Sequence, residues 1–408
     1  MKNIINKLTI HLQQTKTQKI GTLATKDNKI YFEYDKDFLK SGIEISPYKL
    51  PLKSGVFRCD DNTFDGLWGV FADSLPDGWG RLLMDREFLR RGVKLQDITP
   101  LDRLALVGKD GMGALEYEPA SEFKSIIDDI ILDDLASGAS KILKGSSEDM
   151  IDELFALGGS SAGARPKVLV QVSSDFKTII DSKKALQYGF EHYIIKFASR
   201  HDSNDVALIE YVYNQIAKEA GLDVPKFHLF KGKKGYYFGA KRFDRIKDKK
   251  VHMHSVAGLI HSDFRYPILD YNDLLKLTLH LTKSFKEQEK MFRLACFNMF
   301  ANNRDDHAKN FSFLLNSKNE WVLSPTYDLT YSFGPGGEHS TIYLGEGKNP
   351  TLKHLEQLAK QNGIKNYKNI INEVKEAISK WEFFAKEVGI SKAKIKEIQN
   401  SIKDNLKQ

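Results

Sequence analysis

Apolar and polar positions alternate between residues 18 and 34, so that Ile20, Leu23, Ile30, Phe32 and Tyr34 line the faces of a hairpin turning at Lys26-Asp27-Asn28-Lys29. This period of two predicts a small β-rich unit. From Phe64 to Arg81 aromatics and turn formers take over. Pro76, Asp77 and Gly78 predict a tight turn there, with Asp77 placed to cap a helix from about Trp79 to Arg91. Trp68, Phe71 and Trp79 make the stretch a packed corner in expectation, rather than a seat of chemistry.

Beyond Pro119 the period turns helical, through Phe123, Ile126, Ile127, Ile130, Ile131 and Leu135, and Ser146 stands three before Asp149 as the cap of a helix reaching Leu157. The small residues at 136–140 and 144–147 predict flexible places and a domain boundary within 120–150. Strands follow at 168–172, 192–197, 226–231 and 235–242. A helix from about Asn204 to Gly221 turns Leu208, Ile209, Val212, Ile216 and Ala217 inward. Helices at 271–283 and 285–302 lead into a polar loop and a short strand pair. Residues 352–408 read as three amphipathic, Lys-rich helices.

The length of 408 residues predicts two or three packed units. Hydrophobic residues at 41% and charged residues at 28% exclude a disordered chain, and no run is long enough to span a membrane. The net charge of +7 is mild, without the dense basic runs of a primary nucleic-acid binder. Cys59 and Cys296 are too few and too far apart for a disulfide framework, and the start of the chain lacks a signal peptide's apolar core. A cytoplasmic protein without membrane contact is expected.

Three polar residues carry the candidate chemistry. Asp305 and Asn310 lie five positions apart on one loop, and Asp328 follows eighteen later. Phosphoryl transfer needs such a set: one carboxylate to accept a hydroxyl proton, an amide and a second carboxylate to hold Mg²⁺ on ATP. Upstream, Lys196 interrupts an apolar strand, where its ammonium requires an anion. The run Gly158 to Lys167 is rich in small residues that let backbone N–H groups approach phosphate, although taken alone it reads better as a turn between helix and strand. Glu210, or else Glu219, follows on the next helix, with a solvated helix face as the plain alternative for Glu210. Small-residue loop, strand Lys and helix Glu is the order in which kinases assemble a phosphate clamp. His252 and His254 lack a third ligand at metal spacing and read as ordinary polar histidines.

The run Asn303-Arg304-Asp305-Asp306-His307-Ala308-Lys309-Asn310, with Tyr327-Asp328, resembles the HipA family of bacterial serine/threonine kinases, known mostly as toxins of toxin-antitoxin systems. The segments 64–81 and Gly111–Pro119 resemble that family's N-terminal subdomain, in order. The resemblance implies an α+β, bilobal protein-kinase-like fold: a β-rich subdomain at 1–120, a helical connector at 121–157, an ATP-binding N-lobe at 158–245 and a helical C-lobe at 246–408. In the family's D-x-H-x-K-N pattern Asp305 becomes the general base, with Asp306 taking that role if the register slips by one. Lys309 neutralises the transferred phosphate, and Asn310 and Asp328 hold Mg²⁺. ATP contacts are implied at Ala162, Gly163, Ala164, Arg165, Pro166, Lys167, Lys196, Glu210, His307, Asn310, Tyr327 and Asp328. Lys241, Arg242 and Phe243 join them by position in the hinge, where the backbone meets adenine. The glycine-rich segment at 331–340 stands where an activation segment accepts substrate.

The resemblance further implies an aminoacyl-tRNA synthetase as substrate, glutamyl or tryptophanyl, and arrest of translation. It implies a HipB-like helix-turn-helix antitoxin, with DNA met only through that partner, and self-inhibition by autophosphorylation of Ser160 or Ser161. A small-molecule phosphotransferase and a non-catalytic pseudokinase regulator remain the alternatives.

Overall fold

The alternating stretch forms β1 (Lys7–Gln13), β2 (Thr17–Lys26) and β3 (Lys29–Tyr34), joined to β4 (Val56–Arg58) and β5 (Leu115–Glu118) in an antiparallel sheet of order β4-β3-β2-β1-β5. Asp27 and Asn28 make the two-residue turn between β2 and β3, both with left-handed φ, as a tight hairpin matched to strand twist requires. Leu8, Ile10, Leu23 and Phe32 bury one face. The computed structural model describes residues 5–121, 130–145, 150–161, 163–200, 202–266 and 268–407.

Helix α1 (Gly78–Arg90) follows the Pro76 turn, and α2 (Pro100–Val107) starts from a capping box of Thr99 and Asp102. Two further helices, α3 (Leu132–Lys144) and α4 (Ile151–Gly158), lead to a second sheet. Its strands are β6 (Lys167–Ser173), β7 (Ile179–Asp181), β8 (Phe190–Lys196), β9 (Phe227–Lys231) and β10 (Tyr236–Lys241), in the order β7-β6-β8-β10-β9. One core joins Trp79 and Leu83 of α1, Leu135 and Ile142 of α3, Leu154 of α4, and Val168, Val170, Tyr193 and Ile195 of the sheet. The stretch Ala136–Ser140, expected to be flexible, lies inside α3. Its small residues serve packing instead: a side chain on Gly138 would stand 3.2 Å from the sulfur of Met150. The expected cap Ser146 falls outside the described residues.

The chain forms two compact units. One comprises Met1–Asp202, Phe230–His254 and Gly258–His261, and holds the two five-stranded sheets apart from the first residues of β9. The other comprises Ser203–Leu229, Ser255–Ala257 and Ser262–Gln408, and is mostly helical. Its centre is α7 (Phe285–Phe300), whose Phe292, Cys296, Phe297 and Phe300 are buried; it packs on α6 (Tyr271–Thr282), and Phe297 meets the ring of Tyr213 on α5 (Val206–Glu219) edge-on at 6.2 Å. After α7 come the loop of interest and the short pair β11 (Ser312–Leu315) and β12 (Trp321–Leu323). The C-terminal stretch holds four helices rather than three: α8 (Leu352–Gln361), α9 (Tyr367–Ser379), α10 (Trp381–Glu387) and α11 (Lys392–Leu406). The backbone leaves the helical path at Lys380, and the buried Trp381 then packs edge-on to Tyr213 at 5.5 Å. Among the described residues no helix is long and apolar enough to cross a membrane.

Candidate active site

In the helical unit, α7 ends at Phe300 and releases a loop whose acids have opposite surroundings. Asp306 is fully buried: its Oδ2 accepts the Tyr271 hydroxyl at 2.8 Å and lies 3.0 Å from His339 Nδ1, while its Oδ1 accepts the N–H groups of Ser340 at 2.9 Å and Thr341 at 3.2 Å. Four donors account for the acceptor sites of an ionised carboxylate. Asp305 instead turns a side chain 58% exposed to solvent, and His307 Nε2 lies 4.0 Å from its Oδ1. The two adjacent acids are therefore not interchangeable.

The remaining polar loop residues gather near Asp305. Asn310 donates through Nδ2 to the Asp305 carbonyl at 2.6 Å, which leaves its carboxamide oxygen as a possible metal ligand. The Tyr327 hydroxyl donates to the Lys309 carbonyl at 2.6 Å and lies 2.6 Å from Ser312 Oγ, tying loop, strand β11 and the Tyr327-Asp328 segment together. Lys309 places its ammonium 4.5 Å from the centre of the Phe264 ring. Asp328 adopts left-handed backbone with φ 57°, a conformation that Asp tolerates better than most residues. Of the two acids weighed on α5, Glu219 forms a surface ion pair with Lys380 at 2.7 Å. Glu210 is 2% exposed and does not lie on a solvated face.

In the other unit, strands β6 and β8 set Lys167 directly opposite Lys196. Gly163, φ 97°, closes over the first: a side chain there would come within 2.2 Å of Lys167 Nζ. Lys196 lies 5.8 Å from the centre of the Phe238 ring. Arg165 pairs with Asp202 at 3.2 Å, and the Pro166 carbonyl accepts the Phe197 N–H at 2.8 Å. Ala164 is exposed, and Ala162 lies outside the described residues. Ser161 is 1% exposed, its hydroxyl donating to the Gly158 carbonyl at 2.6 Å. Ser160 is half-buried and lines two adjoining cavities of about 180 and 130 Å³. Lys109 and Lys183 line both, and Arg242, Arg245, Lys247 and Lys250 line the smaller one.

The side chains at the expected hinge have partners within the fold. Lys241 pairs with Glu191. Arg242 and Arg245 clasp the buried Asp244 at 2.7 and 2.6 Å and donate to the Gly111 carbonyl. Burial alone would raise the Asp244 pKa, but the two guanidiniums hold it far below the usual carboxylate range. Phe243 is half-buried, and the Arg242 N–H donates to the His192 carbonyl at 2.8 Å.

Sequence reasoning missed the seat of the small-residue loop. Asp77 stands at the N-cap of α1, but its side chain makes no capping bond. Its carboxylate accepts the Gly163 N–H, and Trp79 N–H donates to the Gly163 carbonyl at 3.1 Å. Side chains on Gly78 or Gly80 would strike Ala164 Cα at 2.6 Å or the Ser161 carbonyl at 2.3 Å. The signal available was two glycines at the head of a helix, where a turn needs only one. The two polar histidines also have partners: His252 Nε2 lies 2.9 Å from the Ile45 carbonyl, and His254 lies between Ser46 Oγ at 3.0 Å and Asp73 at 2.7 Å. This Ser-His-Asp sequence of contacts is closed to substrate, since Ser46 and His254 are fully buried.

Residues 159–381, more than half the chain, match the HipA-like C-terminal domain, and residues 9–118 match the HipA N-terminal domain. The chain belongs to the HipA family. A Haemophilus influenzae protein named "Putative kinase" is 28% identical over 221 residues, so that the match spans half of this chain and 60% of that relative's length. The HipA fold is shared with a Shewanella oneidensis HipA solved with HipB and its operator DNA: 17% identity, TM-score 0.72, 98% of this chain and 96% of that one. A Helicobacter pylori proinflammatory kinase, CtkA, superposes over 53% of this chain and 86% of its own at 16% identity, and its TM-score of 0.37 is too low to carry anything further.

Proposed function

We propose that this HipA-family protein is an ATP- and Mg²⁺-dependent serine/threonine protein kinase acting as a toxin. The observation that carries the reading is the solvent-facing Asp305 carboxylate on a loop fixed from both sides, with Asn310, Lys309 and the Tyr327-Asp328 segment gathered beside it. Asp305 accepts the proton of the attacking hydroxyl as the phosphoryl group arrives. Lys309 offsets charge on that group, and Lys167 and Lys196, in register on β6 and β8, are the proposed phosphate contacts of the sheet. Mg²⁺ would sit on Asn310 and Asp328, where it supplies charge to the β- and γ-phosphates. The described residues hold no group of three His, Cys, Asp or Glu side chains fit for a metal, so such an ion would complete its shell with phosphate and water.

The Shewanella relative was solved with HipB and operator DNA, which supports a HipB-like antitoxin here, with DNA met through that partner. An aminoacyl-tRNA synthetase, glutamyl or tryptophanyl, is the proposed substrate, in the cytoplasm. Ser160 is the proposed site of self-inhibition: it opens on cavities lined by Lys109 and Lys183, with Asp110 beside them, whereas the Ser161 hydroxyl is buried. The test is incubation with labelled ATP and Mg²⁺, alone and with a cytosolic lysate, beside Asp305→Asn, followed by phosphosite mapping. Label on Ser160 or on a synthetase, absent in the variant, supports the proposal. Label on sugars or drugs alone favours a small-molecule phosphotransferase, and ATP binding without transfer favours a pseudokinase.

A further inference from the structure

The fully buried carboxylate next to the proposed base has no assigned role in transfer, yet four groups converge on it. Asp306 collects the N–H groups of Ser340 and Thr341 and the His339 ring, and its own carbonyl accepts the Thr341 hydroxyl. Arg304, on the other side of Asp305, is tied to the same segment. Its carbonyl accepts the Ser340 N–H at 3.2 Å and hydroxyl at 3.1 Å, and its guanidinium donates to the Gly337 carbonyl. Behind Asp306 the bonds continue into the helices. Tyr271 at the start of α6 accepts Asn298 Nδ2 of α7 at 2.8 Å, and Asn298 Oδ1 accepts Asn303 Nδ2 at 2.9 Å. Asp305 is thus held between two residues that are bonded, one through its main chain and one through a buried carboxylate, to residues 332–341.

We infer that Asp306, with His339 as its ring partner, is a positioning residue that fastens the segment Ser332–Thr341 to the catalytic loop and fixes the direction in which Asp305 presents its carboxylate. The inference rests on the kinase reading and deepens it. Substrate reaches Asp305 across this segment, so loosening the clamp misplaces the acceptor hydroxyl without touching the nucleotide residues. A misplacement of about 1 Å costs on the order of 100-fold in rate. An amide at 306 keeps the shape but turns one acceptor oxygen into a donor facing other donors.

The experiment compares Asp306→Asn, His339→Leu and His339→Gln with the wild-type chain by amide hydrogen exchange and by steady-state transfer to a protein acceptor. Expected for Asp306→Asn are exchange at Ser340 and Thr341 faster by about tenfold or more, a kcat lowered by about 10- to 100-fold and an unchanged KM for ATP. His339→Leu should follow it, and His339→Gln, which keeps an N–H donor toward Asp306, should recover most of the rate. Unchanged exchange at 340 and 341, or faster exchange with wild-type kcat, overturns the inference, as does a failure of His339→Gln to exceed His339→Leu. If Asp306→Asn does not fold, the two His339 variants decide alone. A wild-type protein that transfers no phosphate removes the kinase reading and the positioning role with it, and is told apart from failure of the clamp by its normal exchange protection.

Discussion

The hydroxyl of Tyr327 donates to the main-chain carbonyl of Lys309 across 2.6 Å. Seventeen residues lie between the two, and this bond, shared with Ser312 Oγ, holds the loop end carrying Lys309 and Asn310 against the residue that precedes Asp328. Tyr327→Phe removes the bond and little else. The expected loss is about 1 kcal/mol in the alignment of the site, read as roughly a fivefold fall in kcat with the melting temperature nearly unchanged. A wild-type kcat in this variant would show that the tie does not bear on transfer.

Asp305 and Asp306 should separate cleanly in stability. Asp305→Asn alters an exposed side chain, so unfolding free energy should stay within about 0.5 kcal/mol of wild type while transfer falls by about 100-fold or more. Asp306→Ala strips a buried acceptor from four donors and should cost about 3 kcal/mol or more. Denaturant titration of both variants beside a transfer assay checks the contrast, and equal destabilisation would refute it.

The buried Arg242-Asp244-Arg245 group predicts a large single-site effect. Asp244→Ala leaves two guanidiniums inside the fold beside Gly111 and Gly113 without their carboxylate. The expected cost is about 3–5 kcal/mol, measured as a lowered denaturant midpoint. Replacing all three residues by apolar ones of similar volume should recover part of it.

Acid should destabilise the unit holding both five-stranded sheets, starting from near-neutral pH. Burial pushes the His252 pKa down from 6.5 to about 4, against a hydrogen bond to the Ile45 carbonyl that works the other way. The unfolded chain binds a proton below its ordinary value and the folded chain does not until about 4. Stability is therefore intact above pH 6.5 and lost as pH falls from 6.5 toward 4, with a slope of about 1.4 kcal/mol per pH unit. His192, lowered to about 4 by burial and then by Arg242 and Arg245, adds in the same direction. Melting temperatures at pH 7.5 and 5 should differ for wild type and differ less for His252→Gln. An equal difference in both would exclude His252 as a source.

Phosphosite mapping of the loop serines checks the surroundings of Ser160. Ser160→Ala should abolish loop phosphate after incubation with Mg-ATP, and Ser161→Ala should leave it. The Ser161 hydroxyl is engaged with the Gly158 carbonyl inside the fold, so phosphate found on Ser161 would mean that the loop opens before it is modified.

The sequence by itself determined most of the elements and the order of the candidate residues along the chain. Alternation at 18–34 implied a hairpin because side chains in a strand point to opposite faces, and the positive φ values of Asp27 and Asn28 are what a two-residue turn there requires. The spacing of Asp305, Asn310 and Asp328 was legible because all three lie within one short stretch of chain. Tertiary structure alone decided what depends on residues far away in sequence. Asp306 is distinguished from Asp305 by Tyr271 and by His339 to Thr341, which the fold brings to one of two adjacent acids and not to the other. Asp77 looked like a helix cap because local spacing allows it, yet its carboxylate meets Gly163, 86 residues away. The C-terminal stretch reads as three helices from amphipathic period and is four, since the break at Lys380 serves the packing of Trp381 on Tyr213. Local pattern reports which face of an element is apolar. Which partner covers that face, and which polar group is sealed beneath it, is set by contacts that a linear period does not contain.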